Sequence, residues 1–119
     1  MMEINDIDRD RIEKFLFMMG YTEPNVRSDE SQVQQMAVLL QAFAIFVERN
    51  KRYRDVWKKS GWKGSLFDIR KKVTRMWSVF WHEHPDDKAR ECDDALDVIN
   101  FTAFFVRNVK DNNELGDWG

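Results

Sequence analysis

Along this chain apolar residues recur every three or four positions, the period of a helix packed on one side. Ile7, Ile12, Phe15, Leu16 and Met19 outline a short first helix, and Gly20 stands where a left-handed C-terminal stop is wanted. Residues 21–28 contain Pro24 and read as a connector, after which Ser28 or Asp29 can cap a second helix. Its stripe runs Val33, Met36, Ala37, Leu40, Phe43, Ala44 and Val47, and the pattern continues through Tyr53 to Trp57. A helix of about 28 residues spans ~42 Å. Two glycines three apart in Ser60-Gly61-Trp62-Lys63-Gly64-Ser65 predict a loop. A third helix carries Leu66, Ile69, Val73, Met76, Trp77 and Phe80 on one face, and His82 to Asp87, with Pro85, form a turn. A fourth helix starts near Asp87 and runs to Val109, with Leu96, Ile99, Ala103 and Val106 inward. Residues 111–119 read as a flexible tail that Trp118 can dock. No strand alternation, internal repeat or low-complexity tract competes. The expected fold is all-α and four-helix-bundle-like, a single domain over 1–119 with an N-terminal helix in 1–20 and core helices in 29–109.

Composition narrows the class. At 119 residues, 43% hydrophobic and 34% charged, the chain can bury a core without disulfide or metal staples. A mean hydropathy of -0.63 predicts no membrane partner. The longest apolar stretch, Met36 to Val47, is broken by Gln41 and is too short for a span. No signal-peptide pattern opens the chain, and the single Cys92 suits a reducing cytoplasm. Five Trp and nine Phe are more apolar surface than a thin bundle covers, which predicts a homo-oligomer.

The net charge of -2 conceals a segregation. Residues 1–48 hold four Lys/Arg against nine Asp/Glu, residues 49–81 hold eleven against two, and residues 82–119 hold four against ten. Two acidic arms thus flank a centre of net +9. Helix-to-helix neutralisation explains such a division. So does a phosphate site beside a divalent-metal site.

On the fourth helix Glu91, Asp94, Asp97 and Asn100 are spaced by three and share one stripe. Clustered carboxylates repel unless a cation compensates, and Mg²⁺ takes a few carboxylates together with substrate phosphates. Acids in the first helical turns also favour the macrodipole, which accounts for Asp86, Asp87 and Glu91 but poorly for Asp97 and Asn100. Glu48, Asp55 and Asp68 are further acids that could converge, Glu48 being the best placed; each can equally be a solvated surface acid. His82 and His84 read as part of a turn, and Cys92 as a packing residue off the acid stripe. In the basic centre, Lys71, Lys72 and Arg75 form an i, i+1, i+4 set, while Lys51, Tyr53, Trp57 and Trp62 mix charge with aromatic surface. The Gly61–Gly64 loop has the makings of a lid, with Trp62 stacking on a base and Lys63 meeting phosphate. It is not a Walker loop. Basic residues with aromatics also suit single-stranded nucleic acid, but a pI of 5.7 argues against a broad polyanion surface.

The order KRYRDVWKKSGWKGSLFDIRKKVTRMW, followed by DDALDVINFTAFF, is similar to the phage and bacterial nucleotide-modification-associated proteins over about residues 47–106. More distantly it resembles the all-α MazG and dimeric dUTPase superfamily, where Asp93-Asp94-Ala95-Leu96-Asp97-Val98 sits on an E-E-L-x-D-V motif. The superfamily's E-x-x-E pair has no counterpart in the second helix. The resemblance implies Asp94 and Asp97 as Mg²⁺ ligands, Asn100 on metal or sugar, and Lys71, Lys72 and Arg75 on phosphates.

The expected function is that of a nucleotide-binding protein or Mg²⁺-dependent nucleoside triphosphate pyrophosphohydrolase, in a bacterial or phage-infected cytoplasm. Glu48, Glu91, Asp94 and Asp97 supply the metal ligands, with Glu48, Asp94 and Asp97 catalytic. The metal would lower the pKa of an attacking water, and a spare carboxylate would orient it. Lys51, Tyr53, Trp57, Trp62, Lys71, Lys72, Arg75 and Asn100 are the expected substrate-binding set. A non-catalytic module for nucleic acid, or for a protein partner on a Trp-rich surface, is the alternative.

Overall fold

A computed structural model of the chain describes residues 4–23, 29–82 and 88–114, the side chains of 80 and 88–91 excepted. The described residues form four helices and no strand: α1 (Asp6–Met18), α2 (Glu30–Tyr53), α3 (Trp57–His82) and α4 (Lys88–Lys110). The fold is all-α and helical-bundle-like, in agreement with the periodicity. Spatially the chain groups into two compact units, Met1–Gln41 and Ala42–Gly119.

In the first unit, Asn5 caps α1, its Oδ1 accepting from the Asp8 backbone amide at 2.8 Å while its side-chain Nδ2 donates to Asp8 Oδ2 at 2.9 Å. α1 ends at Gly20 with φ 82. The Tyr21 amide reaches Leu16 O at 2.9 Å and the Gly20 amide reaches Phe17 O at 3.0 Å, which is a Schellman closure. Asp29 caps α2, its Oδ1 accepting from the Ser31 amide at 2.7 Å. Ile12, Leu16 and Val33 form the buried core, with Ile4, Met36 and Ala37 against it. Arg9 grips Glu30 through two parallel bonds of 2.6 and 2.8 Å.

The second unit departs from the expected chain path. α2 stops at Tyr53 instead of running to Trp57. A turn at 54–56 follows, with Arg54 (φ 39) and Asp55 (φ 60) in left-handed conformations. Asn50 Oδ1 holds this turn by accepting from the Asp55 amide at 2.9 Å. The expected loop at 60–65 is absorbed into α3, which bends at Gly61 (φ 64, ψ -174), a conformation open essentially to glycine alone. Gly64 is needed for space: a Cβ there would collide with the Ser60 side chain.

α3 and α4 pack extensively against each other and run antiparallel, since Trp62 meets Asn113 while Lys72 meets Asp94. Their packed faces mix polar with apolar residues, Ile69 and Met76 on α3 and Leu96 and Ile99 on α4 being half-buried. On α3, Ser65 is buried and Asp68, Lys72 and Arg75 are half-buried, whereas Leu66, Val73 and Trp77 are exposed. On α4, Asp94, Asp97 and Asn108 are buried and Phe101 and Phe104 half-buried, while Ala103 and Val106, expected inward, are exposed. The polar residues turn inward because they satisfy one another across the pair.

α4 ends in a second Schellman closure. Asn112 (φ 55) takes the left-handed position, and the Asn113 amide bonds Asn108 O at 2.8 Å. Residues 111–114, expected as part of a flexible tail, fold back onto α3: the Trp62 and Lys63 amides donate to the carbonyls of Asn113 and Glu114 at 3.0 and 3.2 Å. Lys63 also pairs with the Glu114 carboxylate. The rest of the tail, with Trp118, and the turn holding His84 and Pro85 lie outside the described residues. No helix among the described residues is long and apolar enough to cross a membrane.

Candidate functional site

The acidic stripe and the basic centre meet inside the second unit. Three helices bring five charged side chains together: Arg49 from α2, Lys72 and Arg75 from α3, Asp94 and Asp97 from α4. Lys72 Nζ lies between the two carboxylates, 3.4 Å from Asp94 Oδ1 and 3.1 Å from Asp97 Oδ2. Arg49 donates to Asp97 Oδ1 at 2.7 Å. Arg75 Nε is 3.1 Å from Asp94 Oδ2 but lacks hydrogen-bond alignment, so that buried oxygen has an ionic neighbour and no hydrogen bond. The carboxylates are 4% and 8% exposed and Lys72 22%, so the charges interact through protein more than through water.

The two aspartates already face three cations, and Glu48 is an exposed acid paired to Lys51 at 3.5 Å. The Glu91 side chain lies outside the described residues. Among those residues no group of three or more His, Cys, Asp or Glu is placed to hold a metal ion. Asn100, expected on metal or sugar, spends its Nδ2 on Ala42 O at 2.8 Å and so ties α4 to α2.

Beside the charge cluster, α2, the 54–56 turn, α3 and α4 enclose a cleft of about 320 Å³. Small-molecule sites occupy roughly 300–1,000 Å³. Its walls are aromatic: Phe46, Tyr53, Trp57, Phe101 and Phe104. Trp57 is 8% exposed and stacks on Phe104 at 5.2 Å between ring centres, while the Arg107 guanidinium covers its ring at 4.0 Å. The polar part of the lining includes Arg49, Asn50, Asp68 and Asn100. Burial pushes the Asp68 carboxyl above its usual value, and the positive charges of Lys71 and Lys72 oppose that shift.

The expected substrate-binding residues are thus divided. Tyr53, Trp57 and Asn100 line the cleft. Lys72 and Arg75 are in the ion-pair cluster, and Lys51 and Lys71 are exposed. Trp62 is no lid: it packs edge-on against Phe105 at 6.2 Å, with Lys63 over its ring. Cys92, expected to pack, is exposed.

Several site residues were not singled out by the sequence pattern. Phe46, Phe101 and Phe104 are absent from the expected inward stripes, whereas Asp68 is one of the three further acids that could converge or be solvated at the surface. Asn108 is fully buried and holds the base of the cleft, its Nδ2 lying 3.4 Å from Trp57 O and 3.3 Å from Ser65 Oγ. The signal that finds Phe101, Phe104 and Asn108 is the stripe 94-97-101-104-108, whose 3- and 4-residue steps mix charge, aromatic and amide. No model of a known family matches the chain, and neither a curated protein nor a solved structure does.

Proposed function

We propose that the second unit binds a nucleotide, with its base in the aromatic cleft and its phosphates held by the basic segment around it. The observation that carries this reading is one cavity walled by five aromatic rings and bearing Arg49, with Tyr53 and Trp57 of its lining in the segment 49–81 of net +9. Aromatic faces stack on a base, and guanidinium and ammonium groups hold phosphate. Arg52, Arg54, Arg70 and Lys71 make no ion pair among the described residues and remain available to an anion. The amides at the Gly61 bend are already bonded to Asn113 and Glu114, so side chains have to supply the phosphate contacts. Asp94 and Asp97 serve the ion-pair cluster in this reading.

Thermal unfolding with a panel of nucleoside triphosphates, in EDTA and then in Mg²⁺, tests this reading. A ligand at 100 times its Kd stabilises by about 2.7 kcal/mol. A rise in Tm in EDTA that is lost in Tyr53→Ala supports the site. No rise with any nucleotide refutes it. Pyrophosphate release only in Mg²⁺, abolished by Asp97→Ala, would restore the metal-dependent hydrolase.

Self-association belongs to the same proposal. Leu66, Val73, Trp77 and Trp81 leave 49%, 47%, 60% and 63% of their surface exposed along one face of α3. An apolar stripe on that scale is characteristic of a contact surface.

A further inference from the structure

The cleft's polar groups differ in how much hydrogen-bonding capacity they have left. Arg49 donates to Asp97, Asn100 donates to Ala42 O, and Asn50 Oδ1 accepts from the Asp55 amide. Ser60 and Ser65 donate to the carbonyls of Trp57 and Gly61. Asp68 alone among the charged lining residues has neither a hydrogen bond nor an ion pair among the described residues. It is half-buried, and the loss of water raises its carboxyl pKa. Arg49, Asn50 and Asn100 keep further N–H donors, and the unspent acceptors of the site are the two Asp68 oxygens and Asn100 Oδ1. An unpaired carboxylate at an apolar wall has most to gain from a ligand with adjacent N–H donors.

Among the common bases at neutral pH, guanine alone presents two neighbouring donors, its ring N1–H and its exocyclic N2–H, spaced to meet the two oxygens of one carboxylate. Adenine and cytosine set one amino group beside a ring-nitrogen acceptor. Uracil and thymine set one N–H between two carbonyls. Each of these brings an acceptor against the carboxylate, which repels it.

We propose that the aromatic cleft is selective for guanine nucleotides and that Asp68 is the residue that reads the base, through a bidentate pair to N1–H and N2–H. This inference rests on the nucleotide-binding reading above. The aromatic walls supply apolar surface to the base, and the preference among bases comes from its edge, because every base has a stackable face. A site built around a donor pair also discriminates against ligands missing one donor, since the partner group is then buried unpaired.

The test is calorimetric titration of the full chain in EDTA at fixed salt with GTP, ITP, ATP and UTP. ITP is GTP without the N2 amino group. The expected result is GTP binding about 10- to 100-fold more tightly than ITP, the worth of one charge-assisted hydrogen bond. ATP and UTP should be at least as weak as ITP. Asp68→Asn, shown folded by its circular-dichroism melt, should bring GTP to within about threefold of ITP while retaining weak binding of both. Equal GTP and ITP affinity in the parent, or an undiminished preference in Asp68→Asn, overturns the guanine assignment and leaves nucleotide binding standing. Failure of all four nucleotides to bind removes both.

Discussion

Replacing Lys72 by Met keeps the aliphatic stem and deletes the ammonium placed 3.4 Å from Asp94 and 3.1 Å from Asp97. Removing one partner of a buried ion pair costs about 3–5 kcal/mol, because the remaining charge is stranded. Two features lower the figure here. Lys72 keeps 22% of its side chain in water, and Arg49 and Arg75 still face the two aspartates. About 2–3 kcal/mol is the expected loss, which in a chain of this size lowers Tm by roughly 6–15 °C. Lys71→Met is the control, since Lys71 is exposed and makes no ion pair among the described residues. It should move stability by no more than about 0.5 kcal/mol. Urea unfolding followed by tryptophan fluorescence measures both, in EDTA and in millimolar Mg²⁺. Equal behaviour of the two variants would refute the view that Lys72 neutralises the buried pair. So would a parent protein that gains several degrees from Mg²⁺, with Lys72→Met gaining at least as much, because the aspartates would then take the metal in place of the lysine.

Gly64→Ala should destabilise by about 1–3 kcal/mol through its collision with Ser60, and the double variant with Ser60→Gly should recover most of that loss in a denaturant titration. Burial raises the Asp68 carboxyl above its ordinary 3.8, so the folded state holds this proton more firmly than the unfolded chain does. That contribution is whole below 3.8 and is lost as pH rises through the higher folded value. Asp68→Asn should therefore raise Tm at pH 7 and lose its advantage near pH 3; an equal gain at both would contradict the desolvation argument. Replacing Trp77 and Trp81 by Ser should shift sedimentation toward the smaller species without changing nucleotide affinity, whereas an unchanged oligomer distribution would exclude this face of α3 as the contact.

Much of the architecture could be read from the chain, since helix periodicity needs only local information. The stop at Gly20 and the cap at Asp29 are local chemistry of the same kind. The sequence also indicated that residues near 72–75 and 94–97 carry complementary charge. Mutual neutralisation is one of the two explanations that segregation allows, and choosing between them takes the contact between α3 and α4, which is a tertiary fact. The α2–α3 turn was misplaced since Arg54 and Asp55 take left-handed conformations that usually announce themselves with glycine. The glycines that were visible, Gly61 and Gly64, serve a helix bend and a close approach. The packed faces of α3 and α4 were misjudged for a related reason. An apolar stripe indicates the core only where polar residues have no better partner, and here Ser65 has Asn108 while Lys72 has both aspartates.

The fold-back of residues 111–114 onto the Gly61 bend also sets an order of events in synthesis. Every core contact of the first unit is complete once residue 37 has been made. The second unit lacks the carbonyls that cap Trp62 and Lys63 until residues 113 and 114 exist. During that interval the aromatic cleft has no floor, since Asn108 and Asn113 are the residues that hold Trp57 and Lys58 in place. The two units therefore complete their contacts at different points of synthesis, and the second unit is the one exposed to early misassembly.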